Sequence, residues 1–129
     1  MVNVDAEVNP TESEAKVRKA IESIFGNIPM RVKQTRRGSV VTAEACEREP
    51  LVKFYNILSR EHIRAAARTV LLTGIDRNTI SFCLNKQAAY VGHVSFAGEV
   101  AESPLGPIRV RIESENPRGL VEWLTSNRT

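Results

Sequence analysis

Four basic residues are spaced so that a helix would carry them on one side. They are Lys53, Arg60, Arg64 and Arg68. At 3.6 residues per turn, these positions span less than about a quarter of the helix circumference. Such a row can follow a phosphodiester backbone, because guanidinium groups bind phosphate in a bidentate manner and also stack on unpaired bases. The alternative is a solvated helix face on which these basic side chains form ion pairs with acidic residues such as Glu61.

The tripeptide Asn85-Lys86-Gln87 places two amides around an ammonium at the point where a hydrophobic strand ends. Lys86 offers a positive charge for phosphate, whereas Asn85 and Gln87 can both donate and accept hydrogen bonds. These groups suit contacts to a nucleotide, with the amides nearer the base. The alternative is local: the amides satisfy backbone groups in a turn, and Lys86 is simply exposed.

A third group of charged residues is predicted on the open face of a sheet. Its basic members are Arg31, Lys33, Arg37, Arg109 and Arg111, and its acidic members are Asp5 and Glu7. This face can contact RNA or a second copy of the chain. The alternative is cross-strand salt pairing on a wet surface, worth about 0.2–1 kcal/mol a pair. Base stacking on the sheet is excluded, because Phe82 and Phe96 belong to the predicted core.

Catalytic and metal-binding patterns are weak in this sequence. Asp5 and Glu7 form a carboxylate pair without a histidine nearby, and Ser103 lies in a proline-glycine loop without a nucleophile elbow. The two cysteines and two histidines are dispersed, which argues against a zinc site. We therefore predict a non-catalytic protein without a metal or cofactor. A small-molecule enzyme whose pocket collects Lys86 and the Ser103 loop is the remaining enzymatic alternative.

The composition is that of an ordinary globular protein. The 129 residues, of which 42% are hydrophobic and 26% charged, predict a single domain over residues 1–129. A formal net charge of +3, with 13 arginines against 5 lysines, permits a polyanionic partner. The alternative explanation for the arginines is genome composition or thermal adaptation through ion pairs. No apolar run is long enough to span a membrane and the first residues do not form a secretion signal, so we predict a soluble, cytoplasmic protein.

Hydrophobic periodicity predicts the elements of the first half of the chain. Strict alternation favours a strand over residues 2–8. A capping box of Thr11 and Glu14 then begins a helix that Gly26 ends. Two strands, over residues 30–37 and 40–46, form a hairpin that turns at Gly38-Ser39.

The second half begins with a long helical segment over residues 49–73, in which Ala66 and Val70 continue the buried face with some drift. The drift predicts a break or bend near residues 59–62. The remaining elements are a strand over 80–84, a short helical or looped crossing over 87–90, strands around 94–96 and 108–112, and a final helix capped by Asn116-Pro117. This order predicts an α+β fold: a mainly antiparallel sheet of about five to six strands with two or three helices packed on one face.

Four segments resemble one known family over residues 2–124. They are VNVDAEVNPTESEAKV, IRAAARTVLLTGI, LNKQAAYVG and ESPLGPI, and the last two form its most specific pair. The chain is similar to uncharacterised protein family 0201, a set of small archaeal proteins. The resemblance implies a fold like that of the large-subunit ribosomal protein that binds 5S rRNA. By analogy with that protein, it also implies an RNA-binding role.

These observations lead to one preferred hypothesis, a non-catalytic RNA-binding or ribonucleoprotein-associated protein whose partner is structured RNA. Its predicted binding residues are Arg60, Arg64, Arg68, Asn85, Lys86 and Gln87. The competing hypothesis is a structural protein that forms a homodimer through the open face or an edge of its sheet. The RNA hypothesis requires the arginine row and Lys86 to share one continuous positive surface.

Overall fold

A computed structural model describes residues 1–36, 38–97 and 106–126. The strands in these ranges are β1 (Val2–Val8), β2 (Met30–Thr35), β3 (Gly38–Ala45), β4 (Ile75–Asp76), β5 (Thr79–Leu84), β6 (Phe96–Ala97) and β7 (Ile108–Glu113). The helices are α1 (Glu14–Phe25), α2 (Glu49–Arg60), α3 (Arg64–Thr73), α4 (Lys86–Tyr90) and α5 (Pro117–Leu124). Among these helices, none combines the length and the apolar character needed to cross a membrane.

The described strands form one open antiparallel sheet in the order β2-β3-β1-β7-β5-β4, and β6 also pairs with β5. The predicted α+β class is confirmed. The sheet has seven described strands because β4, of two residues, joins the six strands expected from periodicity. The strand expected around residues 94–96 is the two-residue β6. Five helices are described, because the long helical segment divides in two and the crossing after β5 is helical.

Alternation along the central strand explains why the helices cover only one face of the sheet. The side chains of Val2, Val4, Ala6 and Val8 are buried, whereas those between them are half-buried or exposed. The register places Val4 opposite Ala43 of β3 and opposite Val110 of β7, which are also buried. One face of the sheet therefore belongs to the core, and the other face remains open.

The start of α1 differs from the predicted capping box. Ser13, not Thr11, is the N-cap, and its Oγ accepts a hydrogen bond from the Lys16 amide at 3.4 Å. The reason is a turn just before the helix, in which the Glu12 amide donates to the Asn9 carbonyl at 2.8 Å. That turn places the helix boundary two residues later than the Thr11 cap predicted.

The β2–β3 hairpin is confirmed, but the predicted turn at Gly38-Ser39 is wrong. Both residues lie within β3, where Gly38 pairs with Thr35. Gly38 has φ +137°, and a Cβ atom there would lie 2.4 Å from the carbonyl oxygen of Val8. The glycine therefore permits close contact between β3 and β1 instead of forming the turn.

The break or bend predicted near residues 59–62 of the long helical segment is a complete break. The α2 helix ends at Arg60, α3 begins at Arg64, and His62 between them has φ +56°. The break shifts the buried face of α3, so that Ala67 is buried and Ala66 is exposed. The prediction that Ala66 continues the buried face is therefore wrong, because it assumed an uninterrupted helical phase.

Candidate nucleic-acid interface

Lys86 is the one buried charged residue of the described chain. Its Nζ donates a hydrogen bond to the carbonyl oxygen of Glu7 at the end of β1 and lies 2.9 Å from Oε1 of Glu12. The two side chains of this ion pair are only 6% and 11% exposed. Lys86 therefore ties α4 to β1 and to the turn that precedes α1, and its ammonium lies on the inside of the fold.

Glu12 is held in its ionised form by hydrogen-bond donors from Asn9 and Lys86. Its Oε1 accepts hydrogen bonds from the Asn9 amide at 3.0 Å and from Asn9 Nδ2 at 2.9 Å, in addition to the Lys86 ammonium. Burial works to raise the pKa of Glu12, but the hydrogen bonds from Asn9 and Lys86 outweigh burial and lower it. The carboxylate is thus the charge that makes burial of Lys86 tolerable.

This lowered pKa predicts a specific loss of stability in acid. The ordinary pKa of Glu12 is 4.5, and the folded pKa lies below it. Its contribution should therefore be complete above about pH 4.5 and disappear as the pH falls through the folded pKa. Urea unfolding at pH 7 and at lower pH should show that the free-energy difference between wild type and Glu12→Gln shrinks on acidification. A difference that is constant with pH would contradict the ionised pair.

Asn85 and Gln87, which flank Lys86, have different roles. Asn85 is the N-cap of α4, and its Oδ1 accepts a hydrogen bond from the Ala88 amide at 2.9 Å. This is the local role that the alternative interpretation of the tripeptide predicts. Gln87 is exposed on the first turn of α4. Of the three side chains, Gln87 is therefore the one directed toward solvent.

The predicted arginine row does not follow one continuous helix. Arg60 ends α2, and its Nη2 donates to the carbonyl oxygen of Gly92 at 3.1 Å. Arg64 begins α3, half-buried, with Nη1 3.4 Å from Ser59 Oγ. The break at His62 places these neighbours on separate helices, so regular helical spacing no longer aligns them.

Arg68 lies further along α3 and forms an ion pair with α5. Its Nη2 is 2.6 Å from Oε1 of Glu122. This hydrogen bond raises the pKa of Arg68 and lowers the pKa of Glu122. Glu61, the acidic residue expected to pair with the arginine row, instead contacts the segment after α4. Its Oε1 accepts a hydrogen bond from the Val94 amide at 3.1 Å, and its Oε2 lies 2.8 Å from His93 Nδ1.

A cleft of about 440 Å³ lies between the N-terminal half of α1 and α4. Its lining residues are Thr11, Glu12, Ser13, Lys16, Val17, Ala20, Lys86, Gln87 and Tyr90. The buried Glu12–Lys86 ion pair contributes to one wall, and the exposed Lys16 and Gln87 lie on the two helices that border the opening. We call this feature the α1–α4 cleft. It combines amide, ammonium, hydroxyl and aromatic groups in one concave site.

Three cations lie in the cleft lining or contact residues in or next to it, and we call them the α1–α4 patch: Lys16, Lys19 and Arg60. Lys16 lines the cleft, and the Lys19 ammonium lies 5.1 Å from the centroid of the Tyr90 ring. Arg60 reaches Gly92, two residues beyond Tyr90. Within residues 1–36, 38–97 and 106–126, none of the three cations has a carboxylate within ion-pair distance.

Sequence reasoning identified Arg60 and Gln87 in this region but missed Lys16, Lys19 and Tyr90. The spacing of Lys16 and Lys19, one turn apart on α1, and the position of Tyr90 in the motif LNKQAAY were the available signals. Neither signal shows that α1 packs against α4. The contacts of Lys19 with the Tyr90 ring and of Ser23 with the Tyr90 carbonyl establish that packing.

The open face of the sheet carries charges of both signs in the described strands. Its basic residues are Arg31, Lys33, Arg109 and Arg111, and its acidic residues are Asp5, Glu7, Glu44, Asp76 and Glu113. Arg109 Nη1 lies 4.0 Å from Asp5 Oδ2. Burial raises the pKa of Asp5, and the nearby Arg109 offsets part of that effect. This arrangement is typical of cross-strand salt pairing and not of a surface that binds a polyanion such as RNA.

Two sequence predictions fall on residues beyond the described ranges. Arg37, predicted on the open face, and Ser103, in the motif ESPLGPI, both lie outside the described residues. The described residues contain no group of three or more His, Cys, Asp or Glu side chains able to hold a metal ion.

Comparison with known proteins agrees with this architecture. A family model described as RNA binding matches residues 1–114. A UPF0201 protein of Sulfurisphaera tokodaii is 41% identical over 122 residues, which cover 95% of this chain and 84% of that relative. A UPF0201 protein of Pyrobaculum aerophilum is 39% identical over 124 residues, which cover 95% of this chain and 87% of that relative.

A solved structure shows the same fold. The crystal structure of a UPF0201 protein from Methanococcus jannaschii superposes with a TM-score of 0.86 at 32% identity, and the match covers 96% of this chain and 98% of that one. The matched family model, the level of identity and the shared architecture lead to one assignment. The chain belongs to the archaeal UPF0201 family, and its residues 1–114 match the domain described as RNA binding.

Proposed function

We propose that this chain is a non-catalytic RNA-binding protein whose contact surface is the α1–α4 patch. The observation that carries the proposal is that Lys16 lines the open cleft, Lys19 lies over its Tyr90 ring and Arg60 contacts Gly92 two residues further on, all without carboxylate partners in the described part of the chain. Unpaired surface cations attract phosphate and release counterions when they bind it. The family description of RNA binding supports the same class of partner.

The patch revises the set of binding residues expected from the sequence. Arg60 and Gln87 remain in the proposed surface, and Lys16 and Lys19 join it. Lys86 and Asn85 support the surface from inside through the Glu12 ion pair and the α4 cap. The proposal leaves Arg68 outside the surface, because Glu122 neutralises it, and assigns no RNA contact to the half-buried Arg64.

The direct test is a fluorescence anisotropy titration of the whole chain with a labelled structured RNA at several salt concentrations. We expect the logarithm of the binding constant to fall linearly with the logarithm of salt, because each phosphate contact releases counterions. A dissociation constant no better than about 1 mM at low salt, or binding insensitive to salt, would refute the proposal.

A second candidate function is self-association through the open face of the sheet. The four basic and five acidic residues on the described strands give that face charges of both signs, which allows it to pair with the same face of a second copy. Sedimentation over a wide range of protein concentrations tests this candidate. A reversible dimer that Arg111→Glu dissociates is the expected result, and a strict monomer at every concentration would exclude the candidate.

A further inference from the structure

The size and position of the α1–α4 cleft suit one small ligand group. Its volume of about 440 Å³ falls in the range of about 300–1,000 Å³ typical of small-molecule sites. The cleft is open to solvent between two helices whose relative position is held by the Lys86 contacts to Glu7 and Glu12. The site is therefore preformed, and a ligand can enter it without unfolding either helix.

The lining divides into an apolar side and a polar side. Val17 and Ala20 of α1 and the ring of Tyr90 supply apolar and aromatic surface. The Gln87 amide and the Lys16 ammonium supply hydrogen bonds and positive charge. Lys19 lies over the Tyr90 ring but does not line the cleft.

The buried ion pair determines which charge the cleft prefers. Glu12 and Lys86 neutralise each other in the wall, so neither presents an uncompensated charge to a ligand. Lys16 is then the lining residue that sets the sign of the preference, toward an anion. An aromatic ring, an amide and one cation are the groups that a nucleotide requires for its base face, its base edge and its phosphate.

We propose that the α1–α4 cleft binds one unpaired ribonucleotide, with its base beside Tyr90 and Gln87 and its phosphate at Lys16. This inference rests on the proposed RNA-binding function and specifies its substrate: RNA with an extruded or looped nucleotide. A base within a duplex is stacked and paired, so it cannot enter a cleft of this kind, whereas a splayed base presents both its face and its edge. Lys19 and Arg60, the other two cations of the α1–α4 patch, then hold the flanking phosphates.

The test compares two RNAs that both carry 2-aminopurine. One is a hairpin with the 2-aminopurine in its loop, and the other is the matching duplex without a loop. Loop fluorescence should change on binding, and the hairpin should bind more tightly than the duplex. The Gln87→Ala/Tyr90→Leu variant should weaken hairpin binding about 10-fold or more, as expected when stacking on one base is lost, and weaken duplex binding by a much smaller factor. Gln87→Ala alone, at an exposed position, provides a variant with an intact fold. Gln34→Ala, an exposed glutamine on β2, is the matched control.

The outcomes separate failure of the cleft from failure of the proposed function. Equal affinity for hairpin and duplex, with no effect of the Gln87 and Tyr90 variants, would overturn the nucleotide site while RNA binding by the patch stands. If neither RNA binds, the proposed function fails, and titration with 5′-AMP and 5′-UMP tests the cleft by itself. NMR shifts confined to α1 and α4 would then support a mononucleotide site, and their absence would overturn it.

Discussion

Replacing Lys86 by methionine is expected to lower the free energy of unfolding by about 3–5 kcal/mol. The substitution keeps the length and apolar character of the side chain but removes the ammonium. It leaves the Glu12 carboxylate, whose side chain is 11% exposed, without its cation, and it leaves the Glu7 carbonyl oxygen without its donor. An uncompensated buried charge is far more costly than a lost surface contact. Urea unfolding monitored by circular dichroism at neutral pH measures the change.

Lys53→Met provides the matched control for this experiment. The Lys53 ammonium also donates to a backbone carbonyl, that of Glu22 at 3.1 Å, but Lys53 is exposed. We expect its replacement to change stability by no more than about 0.5 kcal/mol. Removing the buried carboxylate as well, in Glu12→Gln/Lys86→Met, should recover part of the loss. A Lys86→Met variant as stable as the Lys53→Met control would show that the ion pair contributes little.

Removing all three cations of the α1–α4 patch is expected to abolish most of the RNA affinity. Each phosphate contact contributes about 0.7 to the salt slope for single strands, so the Lys16→Ala/Lys19→Ala/Arg60→Ala variant should lower that slope by about two. The same relation predicts a loss of about 100-fold in affinity at about 0.1 M salt. Anisotropy titrations of wild type and variant over a series of salt concentrations give both quantities.

A triple variant on the open face of the sheet controls for net charge. Arg31→Ala/Lys33→Ala/Arg111→Ala removes the same number of positive charges from exposed positions of β2 and β7. If the patch is the contact surface, this variant should retain most of the affinity, because long-range attraction between separated charges is screened. Equal losses in the two triple variants would mean that general positive charge, and not the patch, attracts RNA.

Local patterns in the sequence were sufficient to predict most of the elements. Alternation at residues 2–8, the helix stop at Gly26 and the Asn116-Pro117 helix start each depend on neighbours within a few positions. The same patterns predicted a break or bend near residues 59–62. They could not predict that His62 would adopt a positive φ. This backbone conformation separates α2 from α3, so the arginines no longer share one helix face.

The candidate site depended on contacts that no local pattern carries. Lys86 and Glu12 are separated by 74 positions, so nothing near LNKQAAY indicates that its lysine is buried beside a carboxylate. Asn85 was ambiguous for a different reason, because asparagine is common both as a helix N-cap and as a side chain that contacts a ligand. The packing of α1 on α4, which brings Lys16 and Lys19 to Gln87 and Tyr90, is a property of the folded chain alone.

The contact between Lys86 and Glu7 joins positions 79 residues apart, and β1 is also paired with β7. Both associations require closure of a large loop, which slows the formation of such structure relative to neighbouring helical turns. A nascent chain that has reached only α1 already displays Lys16 and Lys19 but has no second helix opposite them. A ligand that binds the complete cleft would therefore distinguish the folded chain from a partly synthesised one. A ligand attracted only by the charge of the lysines would not.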